Sequence, residues 1–195
     1  DQINLKAGTA QVNAASLTLA RYGTPTATVP LILRGYTAAA NDGGIGEIDS
    51  NGAAMLASTY TMMFVDLEMH NFGNNHGITG GPYTNFYHCE VHKGTSTPSS
   101  KRLINLGNFS WVIGCHVHDA GTSGIGILID SYGQVYNNYI KNCPIGIACY
   151  SGTAVVRNII VDSTTKGIAG SSSNLIVGNS IYSSTASTGI GIEIT

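Results

Sequence analysis

The sequence predicts an all-β solenoid, a parallel β-helix wound from coils of about 20–26 residues. Three observations predict it. Apolar residues come in short β-branched runs rather than at helical spacing; glycine is abundant and proline sparse; and one motif recurs at a nearly fixed interval.

The motif is carried by MFVDLEMHN, NFYHCEVHKG, SWVIGCHVHDAG, QVYNNYIKNC, AVVRNIIVDS and LIVGNSIYSS. Each reads apolar, two variable positions, then Leu, Cys or Asn, one variable position, then apolar. The Leu/Cys/Asn position falls at Leu67, Cys89, Cys115, Asn138, Asn158 and Asn179, with spacings of 22, 26, 23, 20 and 21 residues. A second set of runs, GILID, GIACY, GIAGS and GIGIEI, sits between successive copies. Each period therefore holds two or three short strands with Gly, Ser or Asn at the corners. Such strands wind coil upon coil, with neighbours about 4.8 Å apart. A β-sandwich also offers short strands and turns, but it needs no in-register recurrence of Asn and of Gly-Ile.

Stacking turns equivalent residues into ladders. Asn138, Asn158 and Asn179 are expected inward at a corner, where their amides satisfy turning backbone. Cys89 and Cys115 continue that column as small buried residues. Met69, Val91, Val117, Ile140, Ile160 and Ile181 fill the core. Cys89 and Cys115 would have Cα atoms about 5 Å apart, inside disulfide range, and Cys143 and Cys149 flank a corner. Disulfides and buried free thiols both stay open, while the absence of CxxC spacing argues against a zinc ribbon.

The same register sorts the outer face. Side chains alternate along a strand, so the neighbours of each inward apolar residue point outward. Two adjacent columns result: Glu68, Glu90, His116 and His70, His92, His118. They take four of the six histidines in a chain that is only 10% charged. Asp119 and Lys93 follow at the next corner, with Asp66 and His88 on the other side. Stacked imidazoles could hold a transition metal or move protons beside a carboxylate. Glu68 and Glu90 stand near the short end of the roughly 5–9.5 Å that separates paired glycosidase carboxylates. An ordinary solvated surface is the competing reading. Glu90, His116 and His118 are the catalytic candidates. Glu68, His70, His92 and Asp119 are substrate-binding candidates, joined by Tyr87, Tyr136 and Tyr139, whose rings could stack on sugars. Tyr87 and Tyr136 occupy equivalent outward positions with Ile113 between them, and Tyr139 joins the Glu/His column. Trp111 opens the strand of Ile113, and Lys101 and Arg102 in the corner GTSTPSSKR could meet an acidic glycan. No metal site and no cofactor is assigned; Ca2+ is possible, with no residue set to support it.

Composition narrows the partners. Net charge is −2 with no block of like charge, so neither nucleic acid nor an anionic membrane is expected. No apolar run approaches the ~20 residues of a spanning helix. A weakly charged surface rich in Gly, Ser, Thr and Asn suits the extracellular space or a virus particle.

The chain from about Leu31 resembles the pectate-lyase-like superfamily of right-handed parallel β-helices. The GIGI…VYNNYIKNC repeat and the upstream LILRGYTAAANDGGIGEIDSNG carry the resemblance, and DQINLKAGTA is similar to the family's first coil. The family includes polysaccharide lyases, hydrolases, epimerases, phage tailspikes and noncatalytic adhesins, so the resemblance implies a fold and a polysaccharide context rather than one reaction. The family's catalytic sets are missing. Arg102 and Arg157 do not sit beside an acid cluster, no Asn-x-Asp with a paired Asp occurs, and Asp-Pro-His is absent. The expectation is an extracellular or virion structural β-helix that contacts polysaccharide. A lyase or glycosidase on the His/Glu face, and a purely structural filament or virion subunit, are the alternatives. Residues 1–195 read as one domain. Uncapped terminal coils recruit other chains, so an excerpt of a longer chain, or a homo-oligomer or larger assembly that covers the ends, is expected.

Overall fold

Among the described residues the strands form three parallel sheets of eight each. The computed structural model describes residues 2–6, 11–12, 17–18, 30–40, 42–50, 52, 55–56, 61–72, 76–94, 102–182 and 189–195. Lys101 and most of the GTSTPSSKR corner lie outside the described residues. The chain visits the sheets in strict rotation. One coil places Trp111–Ile113 in sheet A, His116–His118 in sheet B and Ile125–Ile129 in sheet C before Gln134–Tyr136 returns to sheet A. Trp111–Ile113 pairs in parallel with Asn85–Tyr87 on one side and Gln134–Tyr136 on the other. This is the expected β-solenoid, and no helix occurs among the described residues.

The register explains the repeats. Met69, Val91, Val117, Ile140, Ile160 and Ile181 pair in sequence along sheet B, and Val91, Val117, Ile140 and Ile160 are fully buried. Ladders from the other sheets meet them. Phe64 and Phe86 stack at 4.6 Å from sheet A, while Ile104, Ile127, Ile147 and Ile168 enter from sheet C. Each such side chain removed from water contributes about 1.5–3 kcal/mol. β-branched residues suit these sites because they pack well on a pleated surface. The Gly-Ile runs have a steric origin. A Cβ on Gly146 would meet the Gly167 carbonyl oxygen and Ile160 Cγ2, each at 2.7 Å, so only glycine lets this part of the coil lie against the core.

At the corner between sheets A and B the backbone turns through a positive-φ residue, such as Asn137 or Arg157, each at 55°. The inward residue that follows is the laddered asparagine. Asn138, Asn158 and Asn179 accept from the backbone N–H of Cys115, Asn138 and Asn158 at 2.8, 3.0 and 2.9 Å. Their amino groups donate to the carbonyls of Val112, Val135 and Val155 at 2.9, 2.9 and 2.8 Å. Asn138 and Asn158 are buried, and satisfied amides make that burial affordable. In earlier coils Cys89 and Cys115 take the position, their thiols donating to the Tyr87 and Ile113 carbonyls.

All four cysteines are buried free thiols, which resolves the alternative left open by their positions. Cys143 and Cys149 do not share a corner, because Cys149 ends the strand Ile145–Cys149 while Cys143 precedes its start. Burial pushes the Cys143 thiol up to about 12 and the Cys149 thiol to about 11.

Candidate functional site

The strands of sheet B present the outward columns in the expected register. Glu68 lies opposite Glu90, and Glu90 opposite His116; His70 lies opposite His92, and His92 opposite His118. Parallel pairing of identical motifs leaves no other arrangement, since Val91 must match Val117 inside. Two residues extend the columns backward: Glu47 pairs with Glu68 and Asp49 with His70. Tyr139 and Lys141 extend them forward, opposite His116 and His118. Glu47 and Asp49 lie outside the expected columns; the signal for them is GEIDSN aligned with LEMHNF, a Glu-x-Asp where later coils carry Glu-x-His.

The bonds run diagonally. Each histidine reaches the glutamate of the preceding coil: His70 Nε2 to Glu47 Oε1 at 2.9 Å, His92 Nε2 to Glu68 Oε1 at 3.0 Å, and His118 Nε2 to Glu90 Oε1 at 2.9 Å. The rings also stack along the axis, His70 on His92 at 5.3 Å and His92 on His118 at 4.6 Å with only 4° between planes. His116 lies beside His118, with centroids 4.2 Å apart, and tilts against Tyr139 at 5.1 Å.

The coil of His116 and His118 is the most elaborate. His118 Nδ1 faces Asp119 Oδ2 at 2.9 Å, and Asp119 Oδ1 accepts from Asn142 Nδ2 at 2.9 Å. His116 Nδ1 stands 3.6 Å from Glu90 Oε1, too far for a hydrogen bond, and its Nε2 is buried without a partner. The His92 Nδ1 atom is likewise buried and unpartnered. Burial opposes the Glu90 charge, but the His118 hydrogen bond and the fields of His116, His92 and His118 outweigh it and hold the carboxyl below its usual range. Asp119 is also held low, the Asn142 and His118 bonds overcoming its burial. Burial, aided by His118, lowers His116. Ionised carboxylates beside a neutral imidazole are a set able to take up a proton or a cation.

Glu68, Glu90, His70, His92, His116, His118, Asp119 and Tyr139 thus form one continuous outer strip. Tyr87 and Tyr136 do not join it. They lie on sheet A, each paired with Ile113 between them as expected. Tyr87 instead lines a cleft of about 340 Å³ with Arg34, Met63, Val65, Asp66 and His88. There His88 Nδ1 is 3.8 Å from Asp66 Oδ1. Arg157, in the same kind of positive-φ corner, stands coils away from this pair.

An aromatic column was not anticipated. Tyr83, Phe109 and Tyr132 stack outward at the corner between sheets C and A, with both ring separations 5.3 Å. All three have φ near 60° and are exposed. The available signal was an aromatic two residues before each sheet A strand, in YTN, FSW and YGQ.

No protein-family model matches the chain, and no curated protein or solved structure matches it.

Proposed function

We propose that this is a structural β-solenoid of an extracellular or virion surface that contacts polysaccharide, in the manner of the tailspikes, fibres and adhesins among pectate-lyase-like proteins. One observation supports the reading above others: the polar columns of sheet B repeat along the solenoid axis. Glu47, Glu68, Glu90, His116 and Tyr139 follow one another in register, beside Asp49, His70, His92, His118 and Lys141. A linear polymer laid along this strip meets hydrogen-bonding groups once per coil, about every 4.8 Å. Donors, acceptors and the Tyr139 ring face it together, which suits hydroxyl-rich rings. No block of like charge demands a polyanion. In this reading the protein works as a homo-oligomer or within a larger assembly, and it needs no cofactor for binding.

Titration calorimetry with a panel of neutral and acidic polysaccharides tests the reading. Binding that weakens at least tenfold in Tyr139→Ala and in Glu68→Gln supports it. Failure of every glycan to bind leaves the purely structural filament or virion subunit in its place. A second reading, catalysis, is favoured by the ionised Glu90 beside the neutral-leaning His116. It predicts new reducing ends or unsaturated uronates during incubation, abolished by His118→Ala.

A further inference from the structure

His118 has a carboxylate on each ring nitrogen: Asp119 Oδ2 on Nδ1 and Glu90 Oε1 on Nε2, both at 2.9 Å. A neutral imidazole has one N–H and one lone pair. It can donate to only one of these carboxylates, and the other then faces a lone pair at hydrogen-bond distance. Either a second ring proton or a cation must fill the gap. The neighbouring His116 makes the same demand from the other side. Its Nδ1 points to the same Glu90 oxygen from 3.6 Å, beyond hydrogen-bond reach, and its Nε2 has no partner.

We propose that Glu90, His116 and His118 form a site for a divalent first-row transition ion, Zn2+ foremost. One ligand atom from each of the three lies within 4.8 Å of the others. With metal–nitrogen and metal–oxygen bonds of about 2.0–2.2 Å, two ligands of a tetrahedral ion stand about 3.3–3.5 Å apart. The observed 3.6 and 2.9 Å separations from Glu90 Oε1 bracket that value, and the set as a whole spans up to 4.8 Å, so the two imidazoles close by up to about 1.3 Å to seat the ion. Two imidazoles and one carboxylate suit Zn2+ and its neighbours rather than Ca2+, which takes six or more oxygens. Asp119 is the positioning residue. It accepts the His118 Nδ1 proton and so aims the Nε2 lone pair at the ion, and Asn142 holds Asp119 in turn. The earlier coils lack this set: they offer one histidine beside each glutamate, and only the strand His116–His118 supplies His-x-His. Three protein ligands leave a fourth position, and Glu90 and His116 remain partly exposed on the outer face, so that position opens to solvent.

Co2+ titration of the untagged full chain, followed by visible absorption and by equilibrium dialysis, tests the site. The expected result is one Co2+ per chain with the intense band of a tetrahedral ion. Zn2+ displaces it and excess Ca2+ does not. Glu90→Gln, His116→Ala and His118→Ala each abolish the band, and Asp119→Asn weakens binding about 10–100-fold. Glu90→Gln preserves shape, so its loss of binding with an unchanged circular dichroism spectrum separates ligation from misfolding. Absence of the band in the native chain, or a band that survives both histidine substitutions, overturns the proposal, as does displacement by Ca2+. Polysaccharide is absent from the assay, so the outcome is independent of glycan recognition.

Discussion

Two polar ladders climb this solenoid at the same spacing, one inside the Asn138 corner and one on the outside of sheet B. The inner ladder spends its hydrogen bonds on backbone and on its own neighbours, with the buried Asn138 and Asn158 amides fully engaged. The outer ladder pairs side chain with side chain and leaves valences over: His92 Nδ1 and His116 Nε2 lack partners, and Glu90 bonds His118 while His116 Nδ1 stays 3.6 Å away. A buried polar group without a partner costs free energy, and the laddered amides of Asn138 and Asn158 leave none. The outer strip bears that cost at two buried ring nitrogens, and each coil there is still held by its backbone ladder and its core. The difference teaches where to look for function: in the ladder whose chemistry is incomplete.

The comparison is breakable by mutation. Asn158→Ala strips the partner from Asn138 N–H and from the Val135 carbonyl, and a loss of about 3–5 kcal/mol in urea unfolding is expected from two or more orphaned buried groups. Gly146→Ala comes next, at about 1–3 kcal/mol, because its methyl overpacks against Ile160 and the next coil. Alkaline pH ranks third. Burial raises the Cys143 thiol to about 12 from an ordinary value of 9.0, so the folded chain holds this proton more tightly than the unfolded one. Stability from this group is complete below pH 9 and declines as pH rises toward 12. Unfolding at pH 8 and pH 10 should show the decline, and Cys143→Ala should lessen it. His92→Ala is the smallest change, about 1 kcal/mol: the ring is buried between His70 and His118, but its loss removes one side-chain pair with Glu68 and no backbone partner. Should His92→Ala prove as costly as Asn158→Ala, the division between a folding ladder and a functional one disappears.

Recurrence makes the columns legible in the sequence. Once Val91 is matched to Val117, the positions of Glu90, His92, His116 and His118 follow from alternation alone, and the structure reproduces them. What alternation cannot supply is the direction in which a long side chain leans. Adjacency suggested Glu68 beside Glu90 as a carboxylate pair, whereas the observed bonds cross diagonally from each Glu to the next coil's His. Glu47 and Asp49 escaped because Gly46 stands where Leu67 begins the later motif. The Tyr83, Phe109 and Tyr132 column escaped for another reason. Its residues sit in corners at positive φ, a conformation that aromatic side chains rarely adopt, so no strand pattern carries them.

The asparagine column has a direction. Asn138 Nδ2 donates to Asn158 Oδ1, and Asn158 Nδ2 donates to Asn179 Oδ1; the donor is always the earlier residue. The amide dipoles therefore add head to tail along the solenoid, as peptide dipoles do along an α-helix, and each bond polarises the next. One amide turned the wrong way would set oxygen against oxygen, so every coil that joins the column inherits its orientation from the coil before.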